Sequence, residues 1–474
     1  MANVSIKKAT MINFISKYSN IFIQLIINSV LARLLTPDDF GVVAIITVFI
    51  SFFTIIADMG IGPAIIQHKE LTKKQISDIF IFTIFTAIAI AIGFVIFSFP
   101  LSIFYNNKVY IPLGSILSIG IFFNVLNIVP NAILLKEKQF KALGIRNVLI
   151  STVCGIITII LSINGAKYYA LVVNSVLVAL FTFVLNFYHS RIKIYKSFSI
   201  KSVNIIKQFS SYQFGFNFIN YFSRNLDNLM IGKFLGEVPL GYYDKAYKLM
   251  LYPVQNLTNV ITPVLHPILS EHQKDKEYVY DVYIKIIRLL SLVGLFFGVF
   301  CYFSAKEIML IMFGSQWTKS IPAFTILSIS IWPQVVTSST GAIFQSLGET
   351  KALFKCGLIT TTINITLIIT GLILGKIEYV AAGVTVGYMI SFIVAFSILI
   401  RKVFNKSFLK YLYVFIPHII VAVIMSLPFL FIKLDINNIF ISVIVKFIIS
   451  VIFYLVGLVV TKEYKSFINI IRGR

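Results

Sequence analysis

Charged side chains occur inside apolar segments of this chain, where they could bind an anion. The apolar segment at residues 211–232 contains Arg224 and Asp227, three residues apart, and the segment at residues 11–34 contains Lys17. If these segments cross a bilayer, a charge near its centre costs about 2.5–3.5 kcal/mol, so such residues usually face the bundle interior or water. Arginine offers a planar fork to a phosphate group and lysine a point charge. The residue types therefore favour a cationic cavity that binds a phosphate-bearing group.

Amide side chains accompany both cations at helical spacing, and amides can hydrogen-bond to the hydroxyl groups of a sugar. Asp58 closes the second apolar segment and is a further candidate. The predicted substrate-binding residues are Arg224, Lys17, Asp227, Asn220, Gln24, Asn28 and Asp58. A structural alternative stays open for the charges. Arg224 and Asp227 would then be an ion pair, Lys17 would extend to the membrane surface, and Asp58 would cap or pair at a helix end.

Motifs of enzymatic chemistry are missing from the sequence. Gly371–Lys376 has the wrong spacing for a phosphate-binding loop, and no Ser or Thr follows the lysine. There is no H-E-x-x-H motif, and the five histidines and three cysteines are scattered. We therefore expect no catalytic residue, no metal and no cofactor, and the chain is predicted not to be an enzyme.

The composition indicates what positions these residues. Of 474 residues, 58% are hydrophobic and 12% charged, whereas soluble domains carry about 25% charged residues. Apolar runs of about 20 residues are long enough to cross a bilayer as helices and too long for barrel strands. The fourteen predicted transmembrane segments are 11–34, 41–64, 79–100, 112–135, 147–163, 168–188, 211–232, 249–269, 286–303, 322–346, 357–374, 379–400, 411–431 and 438–460. The predicted class is an all-α polytopic membrane protein.

The basic residues predict the orientation of the bundle, because loops rich in Lys and Arg stay in the cytoplasm. With a cytoplasmic N-terminus, every basic cluster falls on one side, and an even number of helices returns the C-terminus to that side. The net charge of +23 is therefore read mainly as a topology signal, and we expect membrane lipids but no nucleic acid as partners.

Two stretches suggest an internal repeat. Leu31–Gly41 aligns with Ile231–Gly241 at a shift of about 200 residues, and Asn131–Leu143 aligns with Gly341–Leu353 at a shift of about 210. Six helices would then correspond to the next six, as in alternating-access transporters with parallel repeats. The predicted domains are a six-helix lobe at 1–188, a basic interfacial linker at 189–210, a second six-helix lobe at 211–402, and two additional helices with a basic tail at 403–474.

The same stretches carry a family resemblance. Arg33–Gly41 (RLLTPDDFG), Asp58–Gln67 (DMGIGPAIIQ), Gly241–Tyr247 (GYYDKAY) and Leu347–Ala352 (LGETKA) resemble bacterial polysaccharide flippases. These belong to the multidrug/oligosaccharidyl-lipid/polysaccharide exporter superfamily. The resemblance implies two pseudo-symmetric six-helix bundles around a V-shaped central cavity, with two extra C-terminal helices.

The resemblance also implies an activity. Such proteins move undecaprenyl-diphosphate-linked oligosaccharides from the inner to the outer leaflet of the bacterial cytoplasmic membrane, for surface polysaccharides such as O-antigen, capsule or exopolysaccharide. Polysaccharide polymerases or glycosyltransferases are expected partners. The alternatives are a drug or organic-cation antiporter of the same superfamily, which should have acidic cavity residues, and a membrane polymerase or ligase of lipid-linked glycans, which should have a large outer loop.

Overall fold

A computed structural model describes residues 6–68, 70–137, 139–195, 198–203, 221, 225–270, 272–273, 275–432 and 436–465. Side chains are described for these residues apart from 6–15, 140, 259–268 and 350. Within these ranges the chain is helical and contains no β-strand. It divides into two compact units, Met1–Gly241 and Tyr242–Arg474.

The first unit is built from long apolar helices joined by short turns. The helices are α1 (Ile6–Leu34), α2 (Pro37–Asp58), α3 (Ile61–Gln67), α4 (Lys73–Phe104), α5 (Tyr110–Leu126), α6 (Ile128–Lys136), α7 (Phe140–Ile163), α8 (Tyr168–Ser190), α9 (residues 225–234) and the start of α10 (Glu237–Ser270). In this unit α1 packs on α7, α5 packs on both α4 and α8, and α3 packs on α6.

The turn before α2 shows how the sequence sets a helix start. The Thr36 side chain accepts a hydrogen bond from the Asp39 backbone N–H, and the Asp39 carboxylate accepts one from the Thr36 N–H. This reciprocal capping box satisfies two backbone donors that a helix N-terminus otherwise leaves unpaired. The second Asp39 oxygen accepts the backbone N–H of Tyr168 at 3.1 Å. One buried carboxylate therefore joins the starts of α2 and α8.

The second unit contains the rest of α10 and the helices that follow it. These are α11 (Lys276–Phe303), α12 (Ala305–Phe313), α13 (Ile321–Ile329), α14 (Ile331–Thr337), α15 (Thr340–Ser346), α16 (Thr350–Ile373), α17 (Ile377–Ile398), α18 (Phe408–Leu412), α19 (Ile416–Phe431) and α20 (Ile439–Val460). Short 3-10 helices occur at Ser315–Ser320 and Tyr413–Phe415, and a π-helix at Leu399–Val403 extends α17. Stacked rings of Tyr283, Phe396 and Tyr411 lie in the core between α11, α17 and α18.

Ten of the described helical segments are long and apolar enough to cross a membrane. The pair Ser315–Ile329 and Ile331–Ser346, bent by 44°, adds an eleventh if it counts as one span. The predicted class, an all-α polytopic membrane protein, is confirmed. The count of fourteen stays a prediction. Segment 11–34 lies in α1 and 249–269 in α10, neither of which is among the ten, and most of 211–232 lies outside the described residues.

The basic linker predicted at 189–210 is described in two parts, up to residue 195 and from 198 to 203. The Tyr195 backbone N–H donates to Ser77 Oγ at 2.9 Å, and Ser202 Oγ donates to the Asp78 carboxylate at 2.6 Å. Both bonds hold the linker to the first turns of α4. Ile194 and Ile200 remain exposed beside this anchor, as an interfacial segment requires. The boundaries of the four predicted domains stay predictions.

Candidate functional site

Three of the predicted binding residues lie on one stripe of α1. Lys17, Gln24 and Asn28 are seven and four residues apart in an uninterrupted helix, so they fall within a narrow arc of its surface. Gln24 is exposed, and Lys17 and Asn28 are half-buried. The Asn28 amide donates to the Gln24 backbone carbonyl at 2.9 Å. The stripe therefore presents one ammonium and two amide groups along about three turns.

A different stripe of α1 packs against α7. A Cβ placed on Gly144 of α7 would stand 2.6 Å from Ser16 Cβ, and one on Gly155 would overlap the side chain of Ile27. Only glycine at these positions lets the two helices approach so closely. Ser16 and Ile27 lie about a quarter turn from the polar stripe on the helix. The packing on α7 thus fixes the rotation of α1 and leaves Lys17 and Gln24 outside that contact.

Asp227 lies on α9 and is 3% exposed. Its Oδ1 accepts the backbone N–H of Asn228 at 2.8 Å. The next turns of α9 are held against the end of α4, because Tyr105 Oη donates to the Leu229 carbonyl at 3.2 Å and the Lys233 ammonium lies 4.4 Å from the centre of the Phe104 ring. Asp227 is therefore a buried carboxylate on a packed helix. Arg224 and Asn220, its predicted companions, lie outside the described residues.

Asp58 is the last residue of α2. Its Oδ1 accepts the backbone N–H of Gly62, in the first turn of α3, at 3.2 Å. Met59 and Gly60 between the two helices adopt left-handed backbone conformations. This arrangement is the one that a helix-end role requires, since the carboxylate satisfies a free N–H group at a helix start.

Arg146, which is not among the predicted binding residues, lies in the second turn of α7. Its guanidinium donates to the Asn186 side chain of α8 and, at 2.6 Å, to the neighbouring Asn147. Asn186 is buried and donates in turn to Asn127 Oδ1 at 2.7 Å. This network places a guanidinium within the first unit and joins α7 and α8 to the break between α5 and α6. The only sign of this network in the sequence is that Asn127 and Asn186 stand as isolated amides in apolar runs.

Lys446 on α20 is explained by an ion pair inside the second unit. Its ammonium lies 2.7 Å from the carboxylate of Glu307 on α12 and donates to the Phe303 carbonyl at 2.9 Å. Ser442, one turn earlier, donates to the same carboxylate at 3.0 Å. Burial raises the pKa of Glu307, but the hydrogen bonds from Lys446 and Ser442 outweigh it and hold this pKa below its usual value. The pair attaches α20 to α12.

A second ion pair near the start of α11 links it to the loop before α18. The Lys406 ammonium lies 2.6 Å from the Glu277 carboxylate and 4.4 Å from the centre of the Tyr280 ring. The Glu277 hydrogen bond raises the pKa of Lys406.

Among the described residues, no three His, Cys, Asp or Glu side chains are grouped to hold a metal ion. Cys154, Cys301 and Cys356 are all buried, and none of them forms a disulfide.

Comparison with known proteins relates the chain to polysaccharide biosynthesis. The lipopolysaccharide biosynthesis protein WzxC of Escherichia coli (strain K12) is 24% identical over 358 residues, covering 72% of this chain and 70% of WzxC. The lipid II flippase MurJ, in an inward closed conformation, matches with a TM-score of 0.77 at 16% identity, covering 96% of this chain and 99% of MurJ. A multidrug resistance MATE family transporter of the MOP superfamily, in an inward-facing conformation, matches with a TM-score of 0.64 at 16% identity over 80% and 93% of the two chains.

The two structural matches establish the fold that this chain shares with MurJ and MATE transporters. The family assignment comes from the sequence, because a family described as "Polysaccharide biosynthesis protein" matches residues 30–322. That range includes α2 to α12 and reaches the first residues of α13. This multi-pass membrane protein belongs to the polysaccharide biosynthesis protein family.

Proposed function

We propose that the protein is a flippase for lipid-linked oligosaccharides. It moves undecaprenyl-diphosphate-bound glycan units from the inner to the outer leaflet of the bacterial cytoplasmic membrane by alternating access, and it supplies cell-surface polysaccharide synthesis. Both termini lie in the cytoplasm, and the chain performs translocation without catalysis. The observation that carries this proposal is the family match over residues 30–322, which places an all-helical membrane protein in polysaccharide biosynthesis.

The α1 stripe supports the substrate class. A diphosphate needs a cation, and the glycan needs hydrogen-bond donors and acceptors. Lys17 supplies the first, and Gln24 and Asn28 supply the second from the same face of one helix. Arg224 is proposed as the second cation on the basis of its sequence position. Asn220 and Asp227 complete the proposed polar lining on the seventh segment.

The two acidic candidates, Asp58 and Asp227, are poorly suited to recognise an organic cation. The Asp58 carboxylate accepts the Gly62 N–H, and the Asp227 carboxylate accepts the Asn228 N–H. Both acids therefore have local structural partners, while Lys17 and Gln24 lie outside the α1–α7 contact. This balance favours an anionic head group over an organic cation as the substrate. The fold shared with MATE transporters does not decide between the two substrates.

The substrate class is tested with the purified chain in proteoliposomes. The assay measures the transfer of a labelled undecaprenyl-diphosphate oligosaccharide between leaflets by its accessibility to a membrane-impermeant glycan-modifying enzyme. Parallel vesicles contain a fluorescent organic cation and no lipid-linked sugar. We expect glycan-lipid transfer above protein-free vesicles and no efflux of the cation. Cation efflux without glycan-lipid transfer would support the antiporter instead.

A further inference from the structure

Helices α1 and α7 run parallel and in register within the first unit. A Cβ on Gly144 of α7 would meet Ser16 of α1, and a Cβ on Gly155 would meet Ile27. The two contacts are eleven residues apart on both helices. The helices therefore keep one register along this contact, and Lys17, which follows Ser16, lies level with the residues of α7 that follow Gly144.

The rotation of the two helices turns their polar residues at this level to the same side. Viewed from the N-terminal end, Lys17 is turned clockwise from the α7 contact by about a quarter turn, and Asn147 is turned anticlockwise from the α1 contact by about a sixth of a turn. In two parallel helices packed side by side, these opposite rotations lead to one side of the pair. Lys17 and Asn147 therefore flank one groove, which we call the α1–α7 groove.

The Arg146 guanidinium is held beside this groove by neutral groups. Its Nε and one terminal nitrogen donate to Asn147 Oδ1 at 3.1 and 2.6 Å, and its other terminal nitrogen donates to Asn186 Oδ1 of α8. In the part of the chain that the structure describes, no carboxylate lies within ion-pair distance of Arg146 or Lys17. The amides thus orient the guanidinium without neutralising its charge.

The guanidinium retains hydrogen-bonding capacity for a ligand. It has five N–H donors, and the bonds to Asn147 and Asn186 use three of them. One N–H remains on each terminal nitrogen, and a pair of such donors suits two oxygens of a phosphate group. Asn147 is exposed and Arg146 is half-buried. The group is therefore accessible from outside the helix packing.

The position of Arg146 along α7 favours an anionic ligand. Arg146 lies near the start of Lys141–Ile163, a segment long and apolar enough to cross a membrane. A charge within such a segment is costly unless it is paired or faces water. Lys17 adds a second positive charge at the same level of the unit. A ligand with at least two negative charges, such as a diphosphate, would neutralise both.

We propose that Arg146 is a phosphate-binding residue, which together with Lys17 binds the diphosphate of the lipid-linked substrate at the α1–α7 groove. Asn147 and Asn186 are positioning residues, because they orient the guanidinium through its other N–H groups. This inference rests on the proposed function, and it adds a further cation to the proposed binding site.

The affinity for undecaprenyl diphosphate tests the proposal, with undecaprenol as the probe without phosphate. The full chain is purified in detergent micelles, and its rise in Tm is followed as the mole fraction of either lipid increases. We expect the parent to bind the diphosphate more tightly than undecaprenol. Arg146→Gln should weaken diphosphate binding by about tenfold or more, because it removes charge-assisted hydrogen bonds, and should leave undecaprenol binding unchanged.

The matched control is Arg191→Gln, which removes an exposed guanidinium just beyond the end of α8. Its diphosphate affinity should equal that of the parent. If Arg146 only joins α7 to α8, Arg146→Gln and Asn186→Ala will both lower the Tm without ligand and leave the affinity unchanged. That result would overturn the proposal, as would equal losses of affinity in Arg146→Gln and Arg191→Gln, or a parent that does not distinguish the two lipids.

A second variant covers the case in which Arg146→Gln does not fold. Arg146→Lys keeps the charge but replaces the planar fork with a point charge, so its diphosphate affinity should fall by about threefold or more. Parent affinity in this variant would overturn the proposal. The proteoliposome assay separates the two levels of the account. A parent that transfers no lipid-linked glycan contradicts the proposed function, whereas a transferring parent with unchanged affinity in Arg146→Gln contradicts this inference alone.

Discussion

Gly41 lies directly against the backbone of Glu237. A Cβ on Gly41 would stand 2.6 Å from the carbonyl carbon of Glu237 and would overlap its oxygen. Gly241 lies equally close to the backbone of Pro37, because a Cβ on Gly241 would stand 2.8 Å from the carbonyl carbon of Pro37. All four residues belong to the first unit and open helices α2 and α10.

Gly41 and Gly241 are also the two glycines that the 200-residue shift aligns in the predicted repeat. We expect Gly41→Ala and Gly241→Ala each to destabilise the protein, because the added methyl group meets backbone that no side-chain rotation can clear. Overpacking of this kind costs about 1–3 kcal/mol. Thermal unfolding in detergent, followed by a fluorescent thiol probe or light scattering, measures the loss.

The control is Gly357→Ala in α16, where nothing lies within 4 Å of an added Cβ. Alanine is a better helix former than glycine by about 0.5–1 kcal/mol, so this variant should be unchanged or more stable. Equal Tm values for Gly41→Ala, Gly241→Ala and the parent would show that the helices do not approach as closely as described.

The Lys446–Glu307 pair predicts a rescue by double substitution. Lys446→Met leaves the Glu307 carboxylate buried without its cation, which typically costs about 3–5 kcal/mol. We expect a Tm lower by several degrees in that variant, and substantial recovery in Lys446→Met/Glu307→Leu, because apolar replacement of a buried ion pair is often neutral. If the single substitution leaves the Tm unchanged, the pair does not hold α20 to α12.

The same pair predicts a dependence of stability on pH. Lys446 holds the pKa of Glu307 below its ordinary value of 4.5. A lowered carboxylate pKa gives stability that is complete above the unfolded value and is lost as the pH falls through the folded value. The Tm difference between the parent and Glu307→Gln should therefore be constant above about pH 5.5 and shrink below about pH 4.5. A difference that grows on acidification would contradict this assignment.

One substitution at Asp58 separates its helix-end role from its predicted role in substrate binding. Asp58→Asn keeps an oxygen that can accept the Gly62 N–H but removes the charge. If the contact is structural, Asp58→Asn should keep the parent Tm and flipping rate, and Asp58→Ala should lose about 0.5–2 kcal/mol, as for other helix-end acceptors. Loss of flipping in a correctly folded Asp58→Asn protein would show that the charge itself takes part in transport.

The predicted orientation is tested by cysteine labelling. Lys74 and Lys108 are exposed residues that the basic-residue pattern assigns to opposite sides of the membrane. With a membrane-impermeant maleimide, Lys108→Cys should be labelled in intact cells and Lys74→Cys only after permeabilisation. The three native cysteines are buried, so their background should be low. The reverse pattern would invert the topology.

The helices were predictable because a bilayer requires long apolar runs to satisfy their own backbone hydrogen bonds. The polar stripe of α1 was also predictable, since helical spacing alone places Lys17 and Gln24 on one face. Long-range pairings were not predictable. Lys446 and Glu307 are 139 residues apart, and His418 and Ser291 are 127 apart. Sequence reveals that such residues need partners, but only the packing of helices shows which partners they have.

The most direct test of the account compares flipping by the parent with flipping by Lys17 variants in the proteoliposome assay. A charge-assisted hydrogen bond is worth about 1.5–3 kcal/mol, so Lys17→Ala should slow transfer of the undecaprenyl-diphosphate oligosaccharide by roughly tenfold or more. Lys17→Arg should retain most of the rate, and Lys74→Ala, which removes an exposed cation from α4, should match the parent. Full activity in a folded Lys17→Ala protein would contradict the cationic site on α1, and a parent that transfers no lipid-linked glycan would contradict the proposed function itself.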